Sequence, residues 1–552
     1  MDDGIAGDLF VTLPRQRLRL PMGQAEGEGA ATRHLCAGTY IDRTFRDRVI
    51  REVYNARNRR VAPSYGYDLI PVLRHAWRAW SIDFWQGVAA IAAYATFVVV
   101  PVVLIAAVAL LLLLYSVVRV LDNYSRYYGF RGSDLHPQQY RSRQRTFKVL
   151  LGGSFLALLA SFFIATSGQW PQLTRGLAPR SLLAAAASVP VFLLAVGGGG
   201  AVLRQLALNR LTVGREPSPI ARSRRLRTVA AQQGHAFTVH SGFTPFIGSG
   251  VEVRTWSFAQ RLVQGKARPE TDARFDAAPF STAQLVKHLS TMINGLRSDV
   301  HPETRLPGLT VADRVFLEGT YAPAYNHVLA GHPDGGVIEE IMTNPRETAR
   351  HYLACQVSSW GGEIVTTVFV HVSLQGRTLY VEFSTYALPP TPPAFHVVDE
   401  VGGTGSGAVI RSLGKSVTDL PATLLAAPLT VLRAPVYLAG AVRARQDGTQ
   451  RVRRGVNIGA NVTAREAIAR EADGSYFQFR DVLRHSKIIE RRLLASIAEF
   501  LHVNGVDTSE FLARATTILN MGVMNSGPGT INLIGSAVGE DSAVGASAGE
   551  TG

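Results

Sequence analysis

Two glycine-rich segments come closest to known chemical motifs. The first, 401–416, ends in Gly414-Lys415-Ser416, like the end of a phosphate-binding loop. That loop needs four residues between its first glycine and the Gly-Lys pair. This chain has Val409 at the required position, and Gly407 lies two residues too far away. The second segment, Gly248-Ser249-Gly250, has the spacing of neither the nucleophile elbow nor the dinucleotide-binding fingerprint. We interpret the first segment as a linker and the second as a turn.

The histidines and cysteines define no site in the sequence. His351 and Cys355 stand four residues apart and can share a helical face, but no second Cys or His pair nearby completes a tetrahedral metal site. His371 falls on the more polar face of its predicted strand, and His301 precedes Pro302 in a predicted loop. We expect a solvated His351 and a buried Cys355. No catalytic, cofactor-binding or metal-binding residue is predicted.

The elements around these residues are dominated by a stretch from Phe84 to Val118 without a charge. As one helix it would be roughly 50 Å long, against a hydrocarbon core of about 30 Å. Pro101 divides it, and the uncharged blocks Val149–Trp170 and Ser181–Leu203 follow. The sequence predicts four spans as two hairpins, at about 82–100, 102–118, 149–170 and 181–203. The alternative is one kinked helix plus two spans.

Basic flanks orient these spans, because positive charge is retained in the cytoplasm. Both termini and the 119–148 loop are then cytoplasmic. The net charge of +15 gathers beside the spans, so we expect anionic lipid headgroups, rather than nucleic acid, as the partner. The residues predicted to determine the topology are Arg78, Arg119, Arg141, Arg143, Arg145, Lys148 and Arg204.

Composition indicates the source and the compartment. Five of the 57 basic residues are lysine, and we interpret this arginine bias, with abundant Ala and Gly, as that of a GC-rich bacterial genome. The two cysteines exclude a disulfide framework, and residues 1–20 lack the apolar core of a signal peptide. The predicted localisation is the bacterial plasma membrane, as a multi-pass protein.

Residues 228–400 are predicted to form a cytoplasmic α+β domain, after a basic N-terminal region at 1–81. The 235–263 segment is strand-rich, and 282–296 has helical spacing. The clearest hairpin is 363–386, where apolar residues alternate on either side of Gln375-Gly376-Arg377, a pattern typical of a half-buried antiparallel sheet.

A Gly- and Pro-rich linker at 401–455 contains an apolar segment that resembles a fifth span. Pro421, Pro428 and Pro435 recur every seven residues, and Arg433 interrupts the apolar run. Because a central Arg costs about 2.5–3.5 kcal/mol on insertion, we favour an interfacial or domain-packed segment.

The 456–524 region is predicted to be helical, with a helical hairpin at 484–520 and a disordered tail at 525–552. The apolar stripe of its first helix has two interpretations, the core of the hairpin or a surface for self-association or a partner. The candidate self-association residues are Leu493, Leu494, Ile497, Phe500 and Leu501.

The sequence resembles uncharacterised multi-pass membrane proteins of actinobacteria. The features that carry the resemblance are the uncharged spans, the arginine flanks and segments such as TPFIGSGVEVRTWSFAQRL and INLIGSAVGEDSAVG. The resemblance is one of style along the chain and implies no activity.

The predicted fold class is an α-helical multi-pass membrane region plus a cytoplasmic α+β domain and a C-terminal helical hairpin. The predicted function is a membrane anchor whose domain binds a partner or self-associates, and a non-enzyme is favoured. A membrane-disrupting effector or transporter with oligomerised spans is the alternative, and an enzyme with an unrecognised site is third.

Overall fold

The computed structural model describes ten stretches of the chain and five shorter pieces. They are 29–95, 112–113, 115–117, 119–120, 146–157, 159, 196–211, 223–265, 275, 278–331, 335–344, 348–400, 425–443, 457–469 and 475–521. Three helices are named by their ranges: Thr146–Ala157, 196–209 and Leu425–Arg443. The other helices are α1 Gly29–Ile41, α2 Arg43–Arg48, α3 Leu69–Ala95, α4 Arg224–Gln233, α5 Thr282–Asn294, α6 Asn326–Ala330, α7 Gly335–Thr343, α8 Val397–Glu400, α9 Glu466–Ala469, α10 Tyr476–Val503 and α11 Ser509–Met521.

A six-stranded mixed sheet lies at the centre of the described residues, in the order β1-β3-β4-β5-β6-β2. Its strand β1 is parallel to β3, and all other neighbours are antiparallel. The strands are β1 Phe237–His240, β2 Val251–Arg261, β3 Leu309–Glu318, β4 Ala349–Ser359, β5 Ile364–Gln375 and β6 Thr378–Leu388.

The predicted hairpin forms between β5 and β6. Leu374 pairs with Leu379, and Gly376 takes a positive φ of 59° in the turn. The expectation of a half-buried sheet is wrong, because β5 is buried on both faces. Val368 contacts the helical side of the sheet, whereas Phe369 stacks on Phe246 at 4.4 Å on the other side.

The C-terminal helical hairpin packs against this sheet. A capping box of Ser475 and Gln478 starts α10, and Gly505 with φ 72° separates it from α11. The apolar side of α10 shares one core with α5 and the central strands.

A second core joins the N-terminal helices, which include a π-helical turn at Val49–Tyr54. It contains Leu35 of α1, Leu73 and Trp80 of α3, and Phe395 from the segment that follows β6. The side chain of Asp68 accepts a hydrogen bond from the Ile70 backbone N–H at 2.9 Å at the start of α3.

The prediction of a four-span membrane region is wrong. Among the described residues, one helix, Leu425–Arg443, is long and apolar enough to cross a membrane, and none of the four predicted spans includes it. The predicted span at 82–100 starts inside α3, which packs its Gly87 side against that helix. Hydropathy does not distinguish a helix that packs on protein in this way from one in lipid.

The predicted multi-pass localisation in the plasma membrane depended on those four spans, so this prediction is wrong as well. The described residues form helices packed on a mixed sheet, an α+β architecture. Most of the predicted spans at 102–118, 149–170 and 181–203 lie outside the described residues, as does the tail at 525–552.

Candidate functional site

Three helices pack side by side at one end of the N-terminal core. Trp80 of α3 stacks on Tyr437 at 5.7 Å, and Gly87 lies against Ala427 and Val431, so α3 and the Leu425–Arg443 helix run antiparallel. A Cβ on Gly87 would come within 2.9 Å of Val431, so the close approach requires glycine. The 196–209 helix lies on α3 as well, where Gln86 donates to the carbonyl of Val196 at 3.2 Å.

A buried carboxylate on α3 joins this helix to α2 and to the 196–209 helix. Asp83 of α3 has a side chain only 5% exposed and forms ion pairs with Arg46 at 2.7 Å, Arg43 at 3.0 Å and Arg204 of the 196–209 helix. Burial alone would raise the pKa of Asp83, but the three guanidinium charges outweigh it and lower that pKa to about 2. The cluster therefore ties three helices, α2, α3 and the 196–209 helix, together through one charge.

Each of the three helices exposes large apolar side chains. Leu432 and Val436 are 73% and 70% exposed, and Trp85 of α3 is 66% exposed. The 196–209 helix adds exposed Leu203 and Leu206. Grouped large apolar side chains on a surface mark a binding face. We call Leu429, Leu432 and Val436, which share one side of the Leu425–Arg443 helix, the apolar face.

A second site joins α1 to the segment after β6. His34 of α1 contacts Glu363 with Nδ1 at 2.5 Å and Asp399 of α8 with Nε2 at 2.7 Å. His396 stacks on His34, with ring centroids 4.0 Å apart. One ligand atom from each of His34, His396 and Asp399 lies within 4.8 Å of the others. We call these three residues the histidine cluster.

Glu363 is the buried anchor of the histidine cluster. It accepts hydrogen bonds from the Thr391 backbone N–H at 2.6 Å and from the Thr391 hydroxyl at 2.9 Å. Burial would raise its pKa, but the His34 hydrogen bond and the nearby Arg465 charge lower the pKa of Glu363 to about 2. A carboxylate this acidic is charged at neutral pH and holds His34 by an ionic hydrogen bond.

The structure brings few of the predicted residues together. Arg78 is exposed on α3, Arg119 lies over the Tyr115 ring at 5.4 Å, and Lys148 is exposed on the Thr146–Ala157 helix. Arg204 forms an ion pair with Asp83 inside the chain and is not directed at lipid headgroups. The positions 141, 143 and 145 lie outside the described residues.

The candidate self-association residues lie inside one copy of the chain. Leu493, Leu494, Ile497 and Leu501 are buried between α10 and the sheet, and Phe500 packs edge-on against Phe280. This gives the stripe an internal contact, and association between copies stays a prediction.

The His351 and Cys355 expectations are half right. Both residues lie on β4 rather than on a helix. The Cys355 thiol is buried as expected, and burial raises its pKa, as it does for Cys36, so neither thiol is activated. His351 is buried and contacts Asp313 at 2.9 Å, so the expectation of a solvated histidine is wrong. Gly248 and Gly250 form the predicted turn, both at positive φ.

Sequence reasoning missed the histidine cluster entirely. His34 precedes Glu363 by 329 positions and Asp399 by 365. The one local signal is the spacing of His396 and Asp399, three residues apart after a Pro-rich boundary. Such a pair alone predicts no metal site.

Comparison with known proteins gives one result. A family model described as an AbeC-like domain matches residues 255–532, from the middle of β2 to beyond α11. No curated protein and no solved structure matches the chain. The resemblance to actinobacterial membrane proteins therefore stays a prediction. Since the match covers just over half of the 552 residues, the chain belongs to the AbeC-like domain family.

Proposed function

We propose that this chain associates with a lipid bilayer through the apolar face and so holds its AbeC-like domain at a membrane surface. The observation that carries the proposal is the two-sided character of the Leu425–Arg443 helix. Ala434, Tyr437 and Ala441 are buried on one side, while Leu429, Leu432 and Val436 are exposed on the other.

The exposed side has the geometry of an in-plane membrane helix. At about 100° per residue, Leu429, Leu432 and Val436 fall within about 60° of one another. Arg433 lies about 100° from Leu432, at the border between the exposed and packed sides. From there the guanidinium of Arg433 can reach the headgroups while its aliphatic stem stays in contact with apolar surface. An amphipathic helix of this kind lies in the interface.

Position and charge favour lying on the bilayer over crossing it. Arg433 stands near the middle of the helix, where a crossing orientation would cost about 2.5–3.5 kcal/mol. Exposed Arg433 and Arg443 instead suit an anionic surface, where each basic residue contributes about 1 kcal/mol. Trp85 of the neighbouring helix α3 is exposed as well and is the residue type enriched at membrane interfaces.

The test is flotation of the purified full-length chain with vesicles of phosphatidylcholine containing phosphatidylglycerol. Burying one exposed Leu or Val contributes about 1.5–3 kcal/mol. With about 70% of each side chain exposed, replacing Leu432 and Val436 by Gln removes about 2–4 kcal/mol, or about 30-fold or more in partitioning.

The matched control is Val300→Gln with Val503→Gln, since these valines are 88% and 77% exposed elsewhere on the chain. The control should float like the wild type. Extraction at high pH should release the protein, whereas a crossing helix would remain in the vesicles. Equal flotation of both double variants, or no flotation of the wild type, contradicts the proposal.

A further inference from the structure

The histidine cluster has the residue types of a transition-metal site. Two imidazoles and one carboxylate from two segments far apart in the sequence converge, with their ligand atoms within 4.8 Å of one another. His34 is buried, whereas the side chains of His396 and Asp399 are about one-third exposed. A metal ion therefore has a route from solvent to the cluster.

Hydrogen bonds determine which ring nitrogen of each histidine is left to coordinate a metal ion. The Thr391 hydroxyl has one proton, and its contacts with both Glu363 oxygens direct that proton to the carboxylate. Its oxygen then accepts the Nε2–H of His396 at 3.0 Å, which leaves a lone pair on Nδ1 of that ring. Nδ1–H of His34 donates to Glu363, which makes Nε2 the coordinating atom of His34.

A single buried carboxylate thus stands behind both imidazoles, directly for His34 and through Thr391 for His396. Metal-ligating histidines almost always donate their second ring N–H to such a partner. An ion-pair cluster that merely joined two segments would not require this ordering of the second ring.

We propose that His34, His396 and Asp399 bind one divalent metal ion of the zinc class, with Glu363 and Thr391 as the groups that position the ligands. Two imidazoles and a carboxylate with a remaining solvent position match the ligand set that zinc favours. In the metal-free chain the His34 ring donates to Glu363 and Asp399. The metal ion replaces the Nε2 proton, which leaves to solvent.

The His34 and His396 rings stack with an interplanar angle of 22°, so His396 must rotate out of the stack to bring its Nδ1 lone pair to the ion. Between His34 and Asp399 the required movement is small. Ligand bonds of about 2.0–2.2 Å in a tetrahedral arrangement separate two ligand atoms by roughly 3.4 Å, whereas His34 Nε2 and Asp399 Oδ2 lie 2.7 Å apart. Asp399 belongs to the short helix α8, and its side chain is about one-third exposed. Arg33 binds its other oxygen, Oδ1, at 2.6 Å and leaves Oδ2 for the metal.

The test is titration of the metal-free, full-length chain with Zn²⁺ by calorimetry and with Co²⁺ by visible absorption. The wild type should bind about one ion per chain, with the intense d–d bands of tetrahedral cobalt. His396→Ala should weaken binding at least tenfold, because it removes one ligand and leaves the buried Glu363 with its His34 and Thr391 contacts. Glu363→Gln should weaken it about 10- to 100-fold with all three ligands in place.

The control is His301→Ala, which alters an exposed histidine beside Glu303 at 3.7 Å. Its affinity should equal that of the wild type. Wild-type binding no tighter than that of His396→Ala, or cobalt spectra without tetrahedral bands, overturns the proposal and leaves an ion-pair junction. If Glu363→Gln does not fold, His396→Ala still tests the proposal, because the His396 side chain is about one-third exposed.

Discussion

Asp83 makes acid sensitivity a direct test of how α3 is held to α2 and to the 196–209 helix. Its pKa falls from 3.8 to about 2 in the folded chain, which corresponds to about 2.5 kcal/mol of folding free energy. Because the folded pKa is the lower one, this stabilisation is fully present above about pH 4. It is lost as the pH falls from about 4 to 2.

Asp83→Asn removes the charge and keeps the shape. At pH 6 it should reduce the free energy of unfolding by about 2.5 kcal/mol or slightly more, since losing one partner of a buried pair costs about 3–5 kcal/mol. Arg46 is the most buried of the three arginines and retains Asp47 at 2.8 Å, which limits the loss. Near pH 2 the unfolding free energies of the variant and the wild type should converge.

The assay is denaturant unfolding followed by tryptophan fluorescence at pH 6, 4, 3 and 2, since Trp80 and Trp85 lie next to the cluster. Glu52→Gln is the control, because Glu52 forms a half-exposed pair with Arg48 at 3.1 Å. Such i,i+4 pairs contribute about 0.3–0.5 kcal/mol. A loss for Asp83→Asn that is the same at pH 6 and pH 2, or no larger than for Glu52→Gln, would refute the reasoning.

Four further predictions concern the sheet and the helix α10 that packs on it. Gly250→Ala should cost at least about 2 kcal/mol in unfolding free energy, because φ is 89° and a Cβ would overlap the carbonyl of Ala387. Gly376→Ala, with positive φ but open space around a Cβ, should cost about 1–2 kcal/mol of unfolding free energy, and denaturant unfolding measures both variants. Glu490→Gln should cost about 1–3 kcal/mol, because this buried carboxylate holds Arg254 and Lys487. Leu494→Asp should unfold the domain, as judged by circular dichroism; a folded variant of lower mass would favour self-association instead.

Local patterns predicted the local structure well. The β5–β6 hairpin follows from period-two alternation and a glycine turn, and α10 follows from its apolar stripe. The second buried face of β5 could not be predicted in this way. Phe246, which covers Phe369, comes from a loop over a hundred positions earlier in the chain.

The membrane prediction failed because hydropathy reports how apolar a helix is and not what covers it. Arginines counted as membrane flanks have internal contacts: buried Arg225 donates to the carbonyls of Val53 and Tyr54 at 2.8 and 2.9 Å. Arg204 likewise holds Asp83. Charge counting along the chain cannot separate such buried arginines from those that face headgroups.

Both proposed sites depend on one core, although they are chemically unrelated. The N-terminal core contains Leu35 on the helix of His34, and Phe395 and Val398 beside His396 and Asp399. The same core contains Trp80 and Tyr437, which seat the Leu425–Arg443 helix. Gly38 sits so close to Phe395 that a Cβ there would overlap the ring. The packing that brings α1 to the His396 segment is therefore continuous with the packing that presents the apolar face. Part of that core lies outside the 255–532 match, so the AbeC-like domain supplies most of the sheet, whereas both sites need the N-terminal helices.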